Sequence, residues 1–243
     1  MVRLVLSAAL LAAMAIVAGA ADSKDWRQCV SSKADRSIEA CTRVIEAEPG
    51  PGTHLAVAYY NRGNAHFRKQ EFNRAIADYD EAIKLNPKQA VAYYNRGYAQ
   101  IRMGQFDRAI ADFDEAIELN PAYPAAYQKR GEAYYGKRDF DRAIADYDRA
   151  IKFNPKYAAA YKNRGVAYGS KDDFDRAITN FDQAIKLDRK QADAYNNRGV
   201  TYRKMGESEK AAADFRKALK LDPSYDKAKE NLESLADSSS DQQ

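Results

Sequence analysis

The sequence predicts an all-α chain, a right-handed α-solenoid of stacked helix-turn-helix repeats, and three observations carry that prediction. The stretch AVAYYNRG opens at Ala56 and again at Ala90. Arg-Gly pairs follow a single period, at Arg62-Gly63, Arg96-Gly97, Arg130-Gly131, Arg164-Gly165 and Arg198-Gly199, each 34 residues after the last. Within one period the apolar residues recur at steps of three and four, the helical spacing, and do not alternate as in a strand. One helix pair cannot bury its apolar faces alone, so stacked neighbours must complete the core.

The chain begins outside that pattern. Arg3 precedes a charge-free apolar run, LVLSAALLAAMAIVAGA, that ends in small residues at Ala18 and Ala20. A basic start, an apolar middle and an A-x-A ending describe a secretory signal over residues 1–20, cleaved after Ala20; an uncleaved membrane anchor is the alternative. Cleavage leaves no later segment able to span a bilayer and makes the protein periplasmic or secreted. Two cysteines follow, Cys29 and Cys41. Their spacing is too wide for a C-x-x-C redox or metal motif. In an exported protein an even count favours a disulfide, with two unlinked thiols as the alternative. Residues 21–50 read as a degenerate helix pair, Asp25–Lys33 supplying the first helix and SIEACTRVIEAEP, Ser37 to Pro49, the second. Gly50 to Leu55, GPGTHL, reads as a mobile loop.

Five full copies follow, 56–89, 90–123, 124–157, 158–191 and 192–225. In the first, Ala56, Tyr59, Gly63 and Phe67 form one face of a helix, and Ala75, Ile76, Tyr79, Ala82 and Ile83 one face of a second. The turn between them carries Gly104 in the second copy and Gly206 in the fifth, suited to the left-handed conformation past a helix end. Gln70, Arg138 and Asp172 stand there in the others, at a cost of about 1 kcal/mol or less. Each second helix should start near Asn73, Asp107, Asp141 or Asp175, whose side chains suit a helix N-terminus. Asn86-Pro87, Asn120-Pro121, Asn154-Pro155 and Asp222-Pro223 stop it, because proline lacks the amide a helix needs. Asp188-Arg189 has no proline and predicts a smoother junction. The columns of Gly63, Ala75 and Ala82 leave room for close helix approach, with Tyr79 or Phe113 filling the adjoining space. After the last copy, residues 226–237 keep helical spacing through Ala228, Leu232 and Leu235 and read as a capping helix. The tail, residues 238–243, reads as disordered.

A 34-residue helix-turn-helix unit with this aromatic, Gly, Tyr, Ala, aromatic, Ala and Pro spacing resembles the tetratricopeptide repeat (TPR) over Ala56 to Tyr225, here in an exported bacterial setting. The chain departs from that pattern at Arg62, Arg96, Arg130, Arg164 and Arg198, where the family often has Leu. This column is placed to pair with Asp residues on a following helix such as Asp78 or Asp112, though the spacing does not fix the partner.

Composition narrows the function. The formal net charge of +4 falls to +3 once Arg3 leaves with the signal, and both signs are interspersed, so no basic stripe suits nucleic acid. Almost every titratable residue belongs to a repeated column, whereas a catalytic constellation occurs once. The pairs Asp78/Asp80, Asp112/Asp114 and Asp146/Asp148 read as solvated or ion-paired surface carboxylates. No phosphate-cradling loop, zinc spacing or nucleophile elbow is present, so no enzyme, cofactor or metal is expected. The TPR resemblance implies a module that binds a peptide or partner protein in a groove lined by the first helices, and the chain is expected to be a monomer. A structural subunit of a cell-envelope assembly, using its convex face or ends, is the alternative.

The groove candidates are a ladder of asparagines, Asn61, Asn95, Asn163 and Asn197, with Lys129 replacing the third. An asparagine offers an acceptor and two donors and can pair with a peptide amide without reading its side chain. Tyr60, Phe67, Tyr94, Tyr98, Ile101 and Tyr135 make the N-terminal half aromatic, while Lys162, Arg203 and Lys204 make the C-terminal half basic. Apolar anchors of a partner would sit toward the first copies. Alternatively the asparagines bridge adjacent helices and the tyrosines pack between repeats.

Overall fold

A computed structural model of the protein describes residues 24–30, 34–47 and 52–240. The proposed signal, residues 1–20, lies outside the described residues. Every regular element among those described is a helix, and the chain divides into two compact units, one ending at Pro121 and the other starting at Ala122. The first unit holds α1 (Lys24–Cys29), α2 (Ala34–Ala47), α3 (Thr53–Arg68), α4 (Phe72–Leu85), α5 (Ala90–Arg102) and α6 (Phe106–Leu119). The second holds α7 (Pro124–Gly136), α8 (Phe140–Phe153), α9 (Ala158–Ser170), α10 (Phe174–Leu187), α11 (Ala192–Lys204), α12 (Ser208–Leu221) and α13 (Asp226–Ser240).

Each repeat is one antiparallel pair, and the glycine column explains how closely its helices meet. A Cβ built on Gly63 would stand 2.8 Å from Tyr79 Cε1 and 3.2 Å from the Ala75 carbonyl oxygen; one on Gly165 would meet Phe181 at 2.8 Å. Only hydrogen fits there. Tyr79, Phe113, Tyr147, Phe181 and Phe215 are in consequence almost wholly buried, with the alanines of both helices closing round them.

The turns follow the same logic with one strained variant. Gly104 and Gly206 take φ of 72° and 80°, and Gln70, Arg138 and Asp172 are forced to 60°, 63° and 56° at the equivalent place. The second helices begin one residue earlier than expected, at phenylalanine in α4, α6, α8 and α10. The caps are therefore Asp139 and Asp173, which accept from the amides of Arg142 and Arg176. Asp107, Asp141 and Asp175 fall inside the first turn instead.

The fourth boundary is no smoother than the rest. Asp188 leaves α10 with φ −142° and accepts from the Lys190 amide at 3.0 Å, as Asn154 does from Lys156 and Asp222 from Ser224. A side-chain turn of this kind ends the helix without help from proline. Two segments are more helical than the sequence suggested. Thr53–Leu55 belong to α3, and α13 runs through 238–240, where nothing in the sequence stops it.

The arginine column is where the carboxylates go. Arg62, Arg96, Arg130 and Arg198 each pair with the aspartate sixteen residues on, in the second helix of their own repeat: Asp78, Asp112, Asp146 and Asp214. Arg164 finds Asn180 there and donates to its Oδ1 at 2.8 Å. Arg96, Arg164 and Arg198 also reach back to Asp80, Asp148 and Asp182 of the preceding repeat. These carboxylates are thus not equivalent surface residues: Asp78, Asp112 and Asp146 are buried, while Asp80 and Asp148 are half exposed. Each guanidinium also lies over a tyrosine one turn earlier, Tyr59, Tyr93, Tyr127, Tyr161 or Tyr195. A long polar side chain can replace leucine here because its head is paired and its stem packs.

At the N-terminal end α1 is too short to hold itself in place. A Cys29–Cys41 disulfide ties it to α2, Ser37 Oγ donates to the Cys29 carbonyl at 2.7 Å, and Arg43 meets Asp25 at 2.8 Å. Cys29, Ala40, Cys41, Val44 and Ala58 make a small core with Trp26 and Ile45 packed against it.

Candidate functional site

In the first unit, α3 and α5 stand side by side with α4 behind them, and a pocket of ≈ 220 Å³ opens between the two. Asn64 and Phe67 come from α3, Tyr94, Asn95 and Tyr98 from α5, and Tyr79 of α4 lies at its base. The helical period explains the set: Asn64 and Phe67 are one turn apart on α3, and Tyr98 lies one turn after the adjacent Tyr94 and Asn95 on α5. The rings of Phe67 and Tyr98 are 4.9 Å apart and tilted, and Tyr94 rests 5.9 Å from Phe113.

A polar network runs through this aromatic wall. Tyr79 Oη donates to Asn64 Oδ1 at 2.8 Å, Asn95 Nδ2 donates to the same oxygen at 2.8 Å, and Asn95 Nδ2 also donates to Tyr60 Oη at 3.0 Å. Burial pushes the Tyr79 phenol well above its usual range, with Tyr60 adding to the effect, so it stays a neutral donor. Asn95 therefore bridges adjacent first helices and at the same time lines the pocket. Its Oδ1 carries no hydrogen bond among the described residues, so the two readings of the ladder are compatible at this rung.

The other candidates of the first unit lie beside the pocket. Tyr60 sits behind Asn95, its ring 6.1 Å from Tyr79. Asn61 and Ile101 are half-buried on α3 and α5, outside the pocket wall.

In the second unit the same geometry gives a pocket of ≈ 500 Å³ between α7 and α9, over Tyr147 of α8. Lys129, Tyr135, Lys162 and Asn163 line it, joined by Glu132, Tyr157 and Val166. Lys129 Nζ meets Glu132 Oε2 at 2.8 Å, and Tyr135 Oη shares a hydrogen bond with Ser170 Oγ at 3.0 Å. Burial, then the Glu132 charge, raises both the Tyr147 and Tyr157 phenols. A smaller pocket of ≈ 140 Å³ between α9 and α11 holds Asn197 with Val166, Val200, Phe181 and Lys204.

The expected basic character of this half is largely neutralised. Lys162 pairs with Asp193, Lys204 with Asp172 at 3.5 Å, and Arg203 Nη1 donates to Ser234 Oγ at 3.0 Å. The sequence showed the cations but not the acids of neighbouring repeats, Asp193 after Lys162 and Asp172 before Lys204, that take two of them up.

Sequence reasoning missed Asn64, Tyr79, Glu132, Tyr147 and Tyr157. A signal was available: the residue after each repeat glycine reads Asn64, Tyr98, Glu132, Val166, Val200, a varied column facing these pockets. Among the described residues no group of three or more His, Cys, Asp or Glu could hold a metal, and no helix is long and apolar enough to cross a membrane.

Family models described as "Tetratricopeptide repeat" match residues 90–123 and 192–231, and one described as "TPR repeat" matches 63–104, 139–172 and 170–206. No curated protein matches the sequence significantly. Solved structures do. The chain is 27% identical to YrrB, whose structure is described as "a TPR protein with an unusual peptide-binding site", with a TM-score of 0.60 over 79% of this chain and 96% of that one. It is 27% identical to the protein MamA, with a TM-score of 0.59 over 66% of this chain and 94% of that one. A thermophilic TPR protein of Thermus thermophilus is 22% identical with a TM-score of 0.63 over 74% and 98% of the two chains, a likeness of fold alone.

Proposed function

We propose, from the premise that residues 63–123 and 139–231 of this chain carry tetratricopeptide repeats, that it is a non-enzymatic binding module for an extended peptide or a flexible segment of a partner protein. Repeats of this type mediate protein–protein interactions and are generally non-catalytic. The finer reading is that the ligand lies along the first helices and seats an apolar or aromatic side chain between α3 and α5. The carrying observation is the composition of that pocket: ring walls from Phe67, Tyr94 and Tyr98 beside the amides of Asn64 and Asn95. Rings supply burial for a side chain, and amides supply a partner for the adjacent peptide unit. The protein acts as a monomer after export, with the signal removed and the disulfide formed.

The test replaces Asn95 and Asn163 with alanine together. Peptides enriched on the full chain from a random displayed library serve as probes, with melting temperature read alongside affinity. Intact folding with tenfold weaker binding, about 1.4 kcal/mol, supports the groove. Lost stability with unchanged binding assigns the ladder to structure. A chain that enriches no peptide yet holds a stoichiometric partner in its native envelope is a scaffold subunit instead.

A further inference from the structure

We infer that Tyr79, a buried residue of α4, is a positioning residue for the α3–α5 pocket: its phenol anchors the coupled amides of Asn64 and Asn95 where they face a bound peptide. The inference rests on the peptide-binding reading above and names one of the groups that would set its specificity.

The geometry is a pair of geared amides. Asn64 Oδ1 receives the Tyr79 hydroxyl and Asn95 Nδ2, each at 2.8 Å. A carbonyl oxygen has two lone pairs, so that oxygen is saturated by the protein and the Asn64 Nδ2 end is left to donate elsewhere. Asn95 is likewise held by its nitrogen, between Asn64 and Tyr60, which leaves its oxygen to accept. The pocket then offers one donor and one acceptor on facing helices, the complement of a single peptide unit. Neither amide can turn over without turning the other. Removing the phenol takes away one of the two partners that hold Asn64, and the coupled pair loses its anchor to α4.

Packing does not require the hydroxyl. Phe113, Phe181 and Phe215 stand at the same place in other repeats, against Gly97, Gly165 and Gly199, at the same close distances. They are as buried as Tyr79. The oxygen of Tyr79 is therefore an addition to a site that phenylalanine fills. Its occurrence also follows the neighbour. The two repeats with tyrosine carry a polar residue after the glycine, Asn64 and Glu132, and the three with phenylalanine carry Tyr98, Val166 and Val200. Phenol and polar wall occur in the same repeats, and in the first of them the two are hydrogen-bonded at 2.8 Å.

The experiment is Tyr79→Phe in the full chain, compared with Asn95→Ala and with the double variant. The probe is a fluorescein-labelled peptide enriched on the wild-type chain from a random displayed library, and thermal melting is followed in parallel. Tyr79→Phe is expected to weaken binding about fivefold, the worth of one hydrogen bond, with a melting temperature within about 2 °C of wild type. The double variant should lose less than the product of the two single effects, since both act through one network. If Asn95→Ala weakens binding and Tyr79→Phe does not, the positioning role is overturned and the groove stands. A Tyr79→Phe protein that loses melting temperature in proportion to affinity also overturns it, because the hydroxyl is then structural. If Asn95→Ala leaves affinity unchanged, or if no peptide is enriched, the groove reading falls and this inference falls with it.

Discussion

Helix α9 carries two glycines one turn apart, Gly165 and Gly169, and replacing each with alanine should move stability in opposite directions. The intrinsic change is the same sign for both: alanine is favoured over glycine in a helix by about 1 kcal/mol, less near an end. The surroundings differ. A Cβ on Gly165 would lie 2.8 Å and 3.0 Å from Phe181 ring atoms and 3.1 Å from the Ala177 carbonyl oxygen. Phe181 is 1% exposed and cannot swing aside, and the carbonyl belongs to the partner helix, so the two helices must separate. Overpacking of this kind costs about 1–3 kcal/mol, which outweighs the helix preference and leaves a net loss of roughly 1 kcal/mol. A Cβ on Gly169 would meet Ala177 Cβ and Thr201 Oγ1 at 3.8 Å, ordinary contact, and Gly169→Ala should gain roughly 0.5 kcal/mol. Urea titration followed by circular dichroism should therefore place Gly169→Ala above wild type and Gly165→Ala below it, midpoints about 0.5 M or more apart. Two midpoints shifted the same way, or Gly165→Ala above wild type, would refute the claim that the glycine column is a contact surface.

Other expectations follow from the same coordinates. Gln70→Gly removes a left-handed non-glycine residue and should stabilise by roughly 0.5–1 kcal/mol in thermal melts. Asp112→Ala leaves Arg96 with half its partners and should cost about 3 kcal/mol, whereas Asp112→Asn should cost far less, since Asn180 already serves Arg164 that way; urea midpoints separate the two. Non-reduced, denatured protein should titrate no free thiol, and Cys29→Ser with Cys41→Ser should lose about 3 kcal/mol in the chain-entropy model for a short loop. The hydrogen bond from Arg142 holds the Asp139 carboxyl below its ordinary value of 3.8, so its contribution is present above that pH and lost as pH falls through the folded value; Asp139→Asn should abolish that part of the acid sensitivity in melts between about pH 2 and 5.

The fold was legible because each repeat states its own packing. Gly, Ala and aromatic columns at one period leave a single way to bury every ring, and the phenylalanine starts, alanine faces and Asx stops fall where that period puts them. The misreadings came from local chemistry that period does not record. Asp188 ends a helix through its own side chain, so the missing proline at Arg189 did not matter. Asp139 and Asp173 took the cap because the helix begins at the preceding edge of the aromatic face, one residue before the charge that looked like the cap.

The candidate site was half legible for a different reason. Residues that face outward on the first helices could be picked by spacing, and Phe67, Tyr94, Asn95 and Tyr98 do share one pocket. What spacing cannot give is a partner on another helix. Lys162 looks like a free cation until Asp193, one repeat on, is placed beside it, and Asn95 looks like a free amide until Asn64 and Tyr60 take its nitrogen. Yet five copies in one chain form an alignment of their own, and a departure in one column means most where a second column departs with it. Lys129 breaks the asparagine ladder in the same repeat, and one helical turn from the place, where Glu132 brings a charge into the column after the glycine, and the two pair. On the peptide-binding reading proposed above, the repeat that opens the second unit would present an ion pair where the next presents the neutral amide of Asn163, and the two would read different groups.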